Sequence, residues 1–308
     1  MASVIINRPS ATSASVFDYG TLGAGKKLVK QGDESRPPTD VLVVYPTVAG
    51  TYTVVLFLHG YFMRNTYYEQ LLRHVASHGF ILVAPQCNAM SPSSNEDIAS
   101  AAAVTNWLSV GLQFVLSSTG VKPNLDKLAL AGHSKGGHAA FSLALPGHAK
   151  TELKFSLLMG IDPVAGRSKS NQISPEILTY EPCSFKLEIP VLVIGTGLGS
   201  KKKNIIFPPC AAEGVNHVEF YNECKPPSYH FVVTDYGHLD MLDDTAPEFT
   251  KCLCKNGTNC REIMRRTTGG IMTAFLEAYL LGQKGDLNAI VADPETAPTS
   301  ISVHYKLP

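Results

Sequence analysis

The stretch that most constrains this chain is Lys127 to Gly137, Lys-Leu-Ala-Leu-Ala-Gly-His-Ser-Lys-Gly-Gly. Leu128 to Ala131 reads as a buried strand, Gly132-His133-Ser134-Lys135-Gly136 breaks it abruptly, and His138 to Leu145 suits a helix. A bare Gly-x-Ser-x-Gly occurs by chance in about one chain in ten of this size. Placed between a strand and a helix it becomes a nucleophile elbow, where a serine on a strained turn is lifted clear of the sheet. The flanking glycines are needed because a Cβ on either side would collide with strand or helix. Ser134 is therefore the candidate nucleophile.

The segments around the elbow alternate between two patterns. Val41 to Val44, Tyr52 to Leu58, Phe80 to Ala84, Leu153 to Ile161, Ile189 to Gly195 and Tyr229 to Thr234 are short apolar runs of the kind buried on both faces of a sheet. Thr66 to His78, Glu96 to Leu116 and Arg261 to Leu281 carry apolar residues at helical spacing. This alternation predicts an α/β fold with a mostly parallel, doubly wound sheet flanked by helices, and ligands gathered outside the carboxyl ends of the strands. Residues 1 to 38 are polar and glycine-dotted and read as a loosely ordered arm with room for one edge strand, followed by a single domain from 39 to 308. The segments 163 to 188 and 196 to 228 have little periodicity, and loops of that length usually form lids or binding walls.

Every candidate group closes a predicted strand. A serine hydroxyl needs a base to take its proton as it attacks a carbonyl. His238 follows a strand, is flanked by Tyr236-Gly237, and lies C-terminal to both nucleophile and acid, as the order Ser, Asp, His requires. His133 and His138 beside the elbow and His230 on the last strand are rivals; His133, pointing away from Ser134, suits packing. The acid that holds the imidazole tautomer is expected at Asp162, because the next strand ends in Gly195-Thr196-Gly197-Leu198-Gly199 with no carboxylate. Asp235, Asp240, Asp243 and Asp244 are the alternatives, with caps, solvated loops or a cation site as their ordinary uses. Two backbone N–H groups, of Lys135 after the nucleophile and of Tyr61 after His59-Gly60, would stabilise an oxyanion. The Lys135 ammonium is expected to be solvated or paired rather than catalytic. The reaction class is acyl transfer from an ester to water, which requires no metal and no organic cofactor.

Composition removes other classes. Lys plus Arg equals Asp plus Glu at 26 each, which gives no field to attract nucleic acid or an anionic membrane. No uninterrupted apolar run reaches the roughly 18 to 20 residues of a transmembrane helix. Of seven cysteines, Cys87, Cys183, Cys210, Cys224, Cys252, Cys254 and Cys260, four fall between 210 and 254, where one or two disulfides could pin the loops. The Ser/Thr-rich opening, with its first acid at Asp18 but only Arg8 as a cation, points to the chloroplast, with cytosol or an endomembrane as the alternative.

Several motifs together resemble the plant chlorophyllase family of α/β hydrolases. They include Tyr45 to Tyr52, Leu58-His59-Gly60-Tyr61, Ala76 to Gln86, Gly132 to Gly137, Gly160 to Val164, Val193 to Gly199, Pro208 to Ala211, Asp235 to Asp244 and Cys252 to Gly257. The resemblance implies cleavage of the phytyl ester of chlorophyll to chlorophyllide and phytol, with Ser134, Asp162 and His238 as triad. It departs from the family at Lys135, where Arg is usual, so a stacking or bidentate contact of a guanidinium would be lost. Such a substrate calls for a wide apolar cleft reached from a membrane or pigment protein, with Tyr61, Phe62 and Met63 expected along its wall. The competing readings are a general lipase, an esterase of platelet-activating-factor-acetylhydrolase or polyester-cleaving type, and a chlorophyll-binding protein without activity.

Overall fold

The computed structural model describes residues 15–205 and 207–308. The strands are β1 (Ala24–Val29), β2 (Val41–Pro46), β3 (Gly50–Leu58), β4 (Phe80–Pro85), β5 (Val121–His133), β6 (Phe155–Ile161), β7 (Gly166–Ser168), β8 (Asn171–Gln172), β9 (Val191–Thr196), β10 (Ser228–Val233) and β11 (Ile301–Lys306). The helices are α1 (Glu69–Ser77), α2 (Asn95–Trp107), α3 (Gln113–Leu116), α4 (Lys135–Ala144), α5 (His217–Glu223), α6 (Phe249–Leu253), α7 (Arg261–Leu276) and α8 (Gly285–Ala292). Among the described residues nine strands form one sheet in the order β1-β2-β4-β3-β5-β6-β9-β10-β11. The six strands from β4 to β10 in that order run parallel, while β1, β2 and β11 are antiparallel to their neighbours. This is the expected mostly parallel α/β architecture.

The period-two alternation of a strand sorts its side chains into two cores. Val55 and Phe57 of β3, Ala129 and Ala131 of β5 and Leu192 and Ile194 of β9 face Leu71, Leu72 and Val75 of α1 and Ile271, Met272 and Phe275 of α7. Val54, Leu56 and Leu58, Leu128 and Leu130, and Val191 and Val193 face the other way, onto Ile98, Ala101 and Val104 of α2, Ala139, Ala140 and Phe141 of α4 and Phe220 of α5. Two covered faces explain why these strands read as unbroken apolar runs. At the margin, β11 is half-buried from Ile301 to Val303 and exposes His304 and Tyr305, a polar edge that discourages further pairing.

Three expectations change. The described part of the supposed arm, 15 to 38, is not loose: Val16 and Phe17 are 4% exposed and belong to the core. Arg266 Nε donates to the Phe17 carbonyl at 2.9 Å and the Gly20 N–H donates to Ser77 Oγ at 2.8 Å. Two anchoring side chains leave no periodic pattern to read. Residues 1–14, where the targeting expectation falls, lie outside the described residues. Second, the helical run Asn95–Leu116 is long and apolar enough to cross a bilayer by length and composition, although no single apolar run in it is unbroken. Half of it is buried, and Ile98, Val104, Leu108, Leu112 and Leu116 pack on the sheet, so its apolar face is spent on the core. Third, the segment 196 to 228 is not all loop, for it contains α5. It is tied by a disulfide between Cys210 and Cys254, while Cys87, Cys183, Cys224, Cys252 and Cys260 are free.

Candidate active site

β5 ends at His133, Ser134 follows at φ 56° and ψ −125°, and α4 begins at Lys135. A serine sits in this region only when the surroundings hold it there. A Cβ on Gly132 would lie 2.2 Å from the Gly136 carbonyl oxygen, and one on Gly136 would lie 2.3 Å from that of Leu58. Only glycines let strand, turn and helix approach so closely. Ser134 is thereby set at the carboxyl edge of the sheet, with its N–H donating to the Ile161 carbonyl at 3.0 Å.

The structure brings the three expected side chains together across 104 residues of sequence. Ser134 Oγ donates to His238 Nε2 at 2.8 Å, and His238 Nδ1 donates to Asp162 Oδ2 at 2.7 Å. Asp162, fully buried, also accepts from Thr196 Oγ1 at 2.6 Å and from the Thr196 N–H at 3.2 Å. Burial alone would raise the Asp162 pKa. The hydrogen bond from His238, the nearby imidazoles and Thr196 outweigh it and hold the group at about 2. A permanently ionised acid therefore faces the imidazole and selects the tautomer that leaves Nε2 free to accept the serine proton.

The rival acids are occupied elsewhere. Asp240 Oδ2 accepts the N–H groups of Gly237 and Gly257, each at 2.7 Å, and so shapes the loop that carries His238. Asp243 accepts from the Gln70 N–H at 2.9 Å, Asp244 pairs with Arg265 at 2.6 Å, and Asp235 takes a hydrogen bond from Thr234 Oγ1. The rival histidines are also accounted for. His138 contacts Ser94 Oγ and the Pro175 carbonyl, and His230 Nε2 meets His217 Nδ1 at 2.8 Å. His217 approaches Asp162 Oδ1 from the side away from His238, at 4.0 Å.

His133 does more than pack. Its Nε2 donates to the His238 carbonyl at 2.9 Å, which leaves Nδ1 to accept from the Tyr68 hydroxyl at 2.7 Å. Tyr68 Oη in turn accepts the Gly60 N–H at 3.1 Å. One line of hydrogen bonds thus runs from the turn after β3, through the elbow strand, to the backbone of the base. Burial, reinforced by the proximity of His238, lowers the His133 pKa to about 3, which keeps the ring neutral and the line intact.

In the turn 60–63 the N–H of Gly60 is used by Tyr68, that of Phe62 by the Ala89 carbonyl and that of Met63 by the Gly60 carbonyl. The Tyr61 N–H, one expected oxyanion donor, belongs to the same turn. The other expected donor, the Lys135 N–H, is the first of those that a helix N-terminus leaves without an intrahelical partner. His59 steadies the turn, with Nδ1 donating to the Gly60 carbonyl at 2.9 Å and Nε2 accepting from the Cys87 N–H at 2.9 Å. Burial holds its pKa near about 4, so it serves as a neutral brace.

The wall expected along 61 to 63 divides. Tyr61 and Phe62 are outward, with ring centroids 4.2 Å apart and Phe62 46% exposed. Met63 is 1% exposed and belongs to the core beneath the turn, so it cannot touch a ligand in the cleft. The turn exposes two consecutive aromatic side chains and sends the third apolar one inward.

The Lys135 side chain is neither solvated nor aimed at the chemistry. Its ammonium pairs with Asp97 at 2.8 Å and donates to the Ser91 and Asn88 carbonyls at 2.7 and 3.3 Å, while lying 5.6 Å from the Tyr61 ring centre. A lysine here pins the loop after β4 against the elbow. Removing one partner of a buried pair strands the other charge, which costs about 3–5 kcal/mol. Asp97→Ala is therefore expected to lower unfolding stability in urea by roughly that amount, and an unchanged midpoint would contradict the pairing.

Sequence reading missed the supporting shell of Thr196, His217, Tyr68 and the bracing roles of His59 and His133. Thr196 and His59 do stand at strand ends, which was their one visible signal. Tyr68 and His217 carry none.

With this geometry in place, comparison with known proteins is informative. The family model described as Chlorophyllase matches residues 12–307. The chain is 47% identical over 302 residues to "Chlorophyllase-1" of Arabidopsis thaliana, covering 95% of this chain and 92% of that protein. It is 47% identical over 296 residues to "Chlorophyllase-2" of the same plant, covering 90% and 92%. It is also 40% identical to "Chlorophyllase-1, chloroplastic" of Citrus unshiu, covering 99% and 96%.

Proposed function

The chain belongs to the chlorophyllase family, and on that premise we propose that Ser134, His238 and Asp162 carry out hydrolysis of the phytyl ester of chlorophyll. The chain is a carboxylic-ester hydrolase that acts on chlorophyll. The observation that carries the residue assignment is the unbroken run from Ser134 Oγ through His238 to Asp162, with hydrogen bonds of 2.8 and 2.7 Å.

Ser134 Oγ attacks the ester carbonyl carbon while His238 Nε2 takes its proton. The carbonyl oxygen becomes an oxyanion between the Tyr61 and Lys135 N–H groups, and Asp162 balances the imidazolium. Collapse breaks the carbon–oxygen bond to phytol, which leaves with the proton from His238. Water, deprotonated by the same imidazole, then attacks the acyl-serine and releases chlorophyllide and free Ser134. Tyr61 and Phe62 supply an aromatic face for the macrocycle at the mouth of the site. The chloroplast is the compartment this substrate and the name of the Citrus relative support.

The test is incubation of the purified protein with detergent-dispersed chlorophyll, following chlorophyllide and phytol by chromatography. Chlorophyllide release far above that of the Ser134→Ala protein is expected. Turnover of short nitrophenyl esters without chlorophyllide would favour a general esterase, and tight pigment binding without phytol release would favour a binding protein.

A further inference from the structure

Three loops leave the sheet at the carboxyl ends of parallel strands and border Ser134: 60–64 after β3, 86–94 after β4 and 197–211 after β9. Parallel strands deliver them to a single rim. Among the described residues, the large apolar side chains exposed on these loops are Tyr61, Phe62, Met90, Ile205 and Phe207, with Ile205 wholly exposed. Isolated apolar residues on a surface are ordinary. Here they occur with a charge bias. In a chain of zero net charge, these three loops contain Arg64, Lys201, Lys202 and Lys203 and not one Asp or Glu. Of the neighbouring carboxylates after β10, Asp240 and Asp243 are buried and Asp244, though exposed, is paired with Arg265; Asp235 and Glu248 stand outward.

The third loop is held where it meets the site and exposed where it faces out. At its base the Ala211 N–H donates to the Gly199 carbonyl at 3.0 Å, and Cys210 is bonded to Cys254. Gly199 packs against Thr196 and Asp162 so closely that a Cβ there would lie 3.0 Å from Asp162 Oδ2. At the tip, Asn204 Oδ1 accepts the Phe207 N–H at 3.0 Å, a turn that presents Ile205 outward beside Lys201 and Lys202.

We propose that this rim docks on a bilayer bearing anionic headgroups, with Ile205 and Phe207 entering the boundary between headgroups and acyl chains and Lys201 and Lys202 meeting the negative charge. Docking would turn the mouth of the site toward the lipid, so a substrate with a hydrocarbon tail reaches Ser134 without crossing water. The inference rests on the chlorophyll-ester reading for its purpose, but not for its evidence. Overall neutrality had argued against membrane attraction; the local distribution of charge reverses that expectation.

The test uses the full chain and sedimentation with two sets of vesicles, phosphatidylcholine alone and phosphatidylcholine with phosphatidylglycerol. Binding is expected to the second set, to weaken as salt rises, and to be slight with the first. A lysine near an anionic surface changes partition by about fivefold, so the double change Lys201→Ala with Lys202→Ala should weaken binding about twentyfold or more. Ile205→Asp should weaken it about tenfold or more. Hydrolysis of a short water-soluble ester should stay within about twofold of the parent in both variants, a check that fold and site survive. Equal partition into both vesicle sets, or unaltered binding in either variant, overturns the proposal. Capture by detergent-solubilised pigment–protein complexes with no binding to anionic vesicles overturns it as well. Chlorophyllide release from detergent-dispersed chlorophyll, measured in parallel, reports on the reaction independently of the membrane result.

Discussion

Replacing Ser134 with alanine is expected to lower chlorophyll hydrolysis by about four to six orders of magnitude while leaving the protein folded. The side chain makes one hydrogen bond to another side chain, to His238, and the elbow is built by backbone contacts that alanine preserves. His238→Ala should cost about as much, because an unactivated hydroxyl is a poor nucleophile at neutral pH. The double variant should lose little beyond either single one, since groups acting as a unit are not additive. Initial rates with an acid-quenched chlorophyllide assay would show this. Residual activity within a hundredfold of the parent in Ser134→Ala would place the nucleophile elsewhere.

Asp162→Asn is expected to lower kcat by about ten thousandfold with little change in KM. The substitution preserves volume at a fully buried position, but it removes the charge opposite the imidazolium and offers His238 Nδ1 an amide that can present its donor face. The wrong tautomer would then be stabilised. Because the carboxyl is held at about 2, it is ionised throughout the range in which a folded enzyme would be assayed. The loss should consequently appear at every pH from about 5 to 9 rather than only on the acid side. An unaltered rate in Asp162→Asn would shift the role to another acid, with Asp240 the nearest rival in the loop of the base.

Much of the architecture, and the meeting of Ser134, Asp162 and His238, is legible in the residues, for a physical reason. Strands covered on both faces are continuous apolar runs, and groups at their carboxyl ends share one rim, so the residues alone place Ser134, Asp162 and His238 together. Elements held by a few side chains were not legible. Val16 and Phe17 seat the start of the described chain without periodicity, and α5 is too short to reveal an amphipathic pattern. The supporting residues were obscure for another reason. Tyr68 reaches His133 and His217 reaches Asp162, groups distant in sequence, and no spacing announces such contacts. Met63 shows the reverse error, in which position beside exposed aromatics suggested a ligand wall although the turn sends its side chain inward.

The line from the Gly60 N–H through Tyr68 and His133 to the His238 carbonyl means that the turn proposed to receive negative charge and the imidazole proposed to ferry the proton are not separate modules. Remodelling residues 60 to 63 to admit a different pigment would tug on the base. The loop after β4 offers no independent handle, because its Ala89 carbonyl accepts the Phe62 N–H and its Cys87 N–H donates to His59, so it grips that same turn as well as the elbow through Lys135.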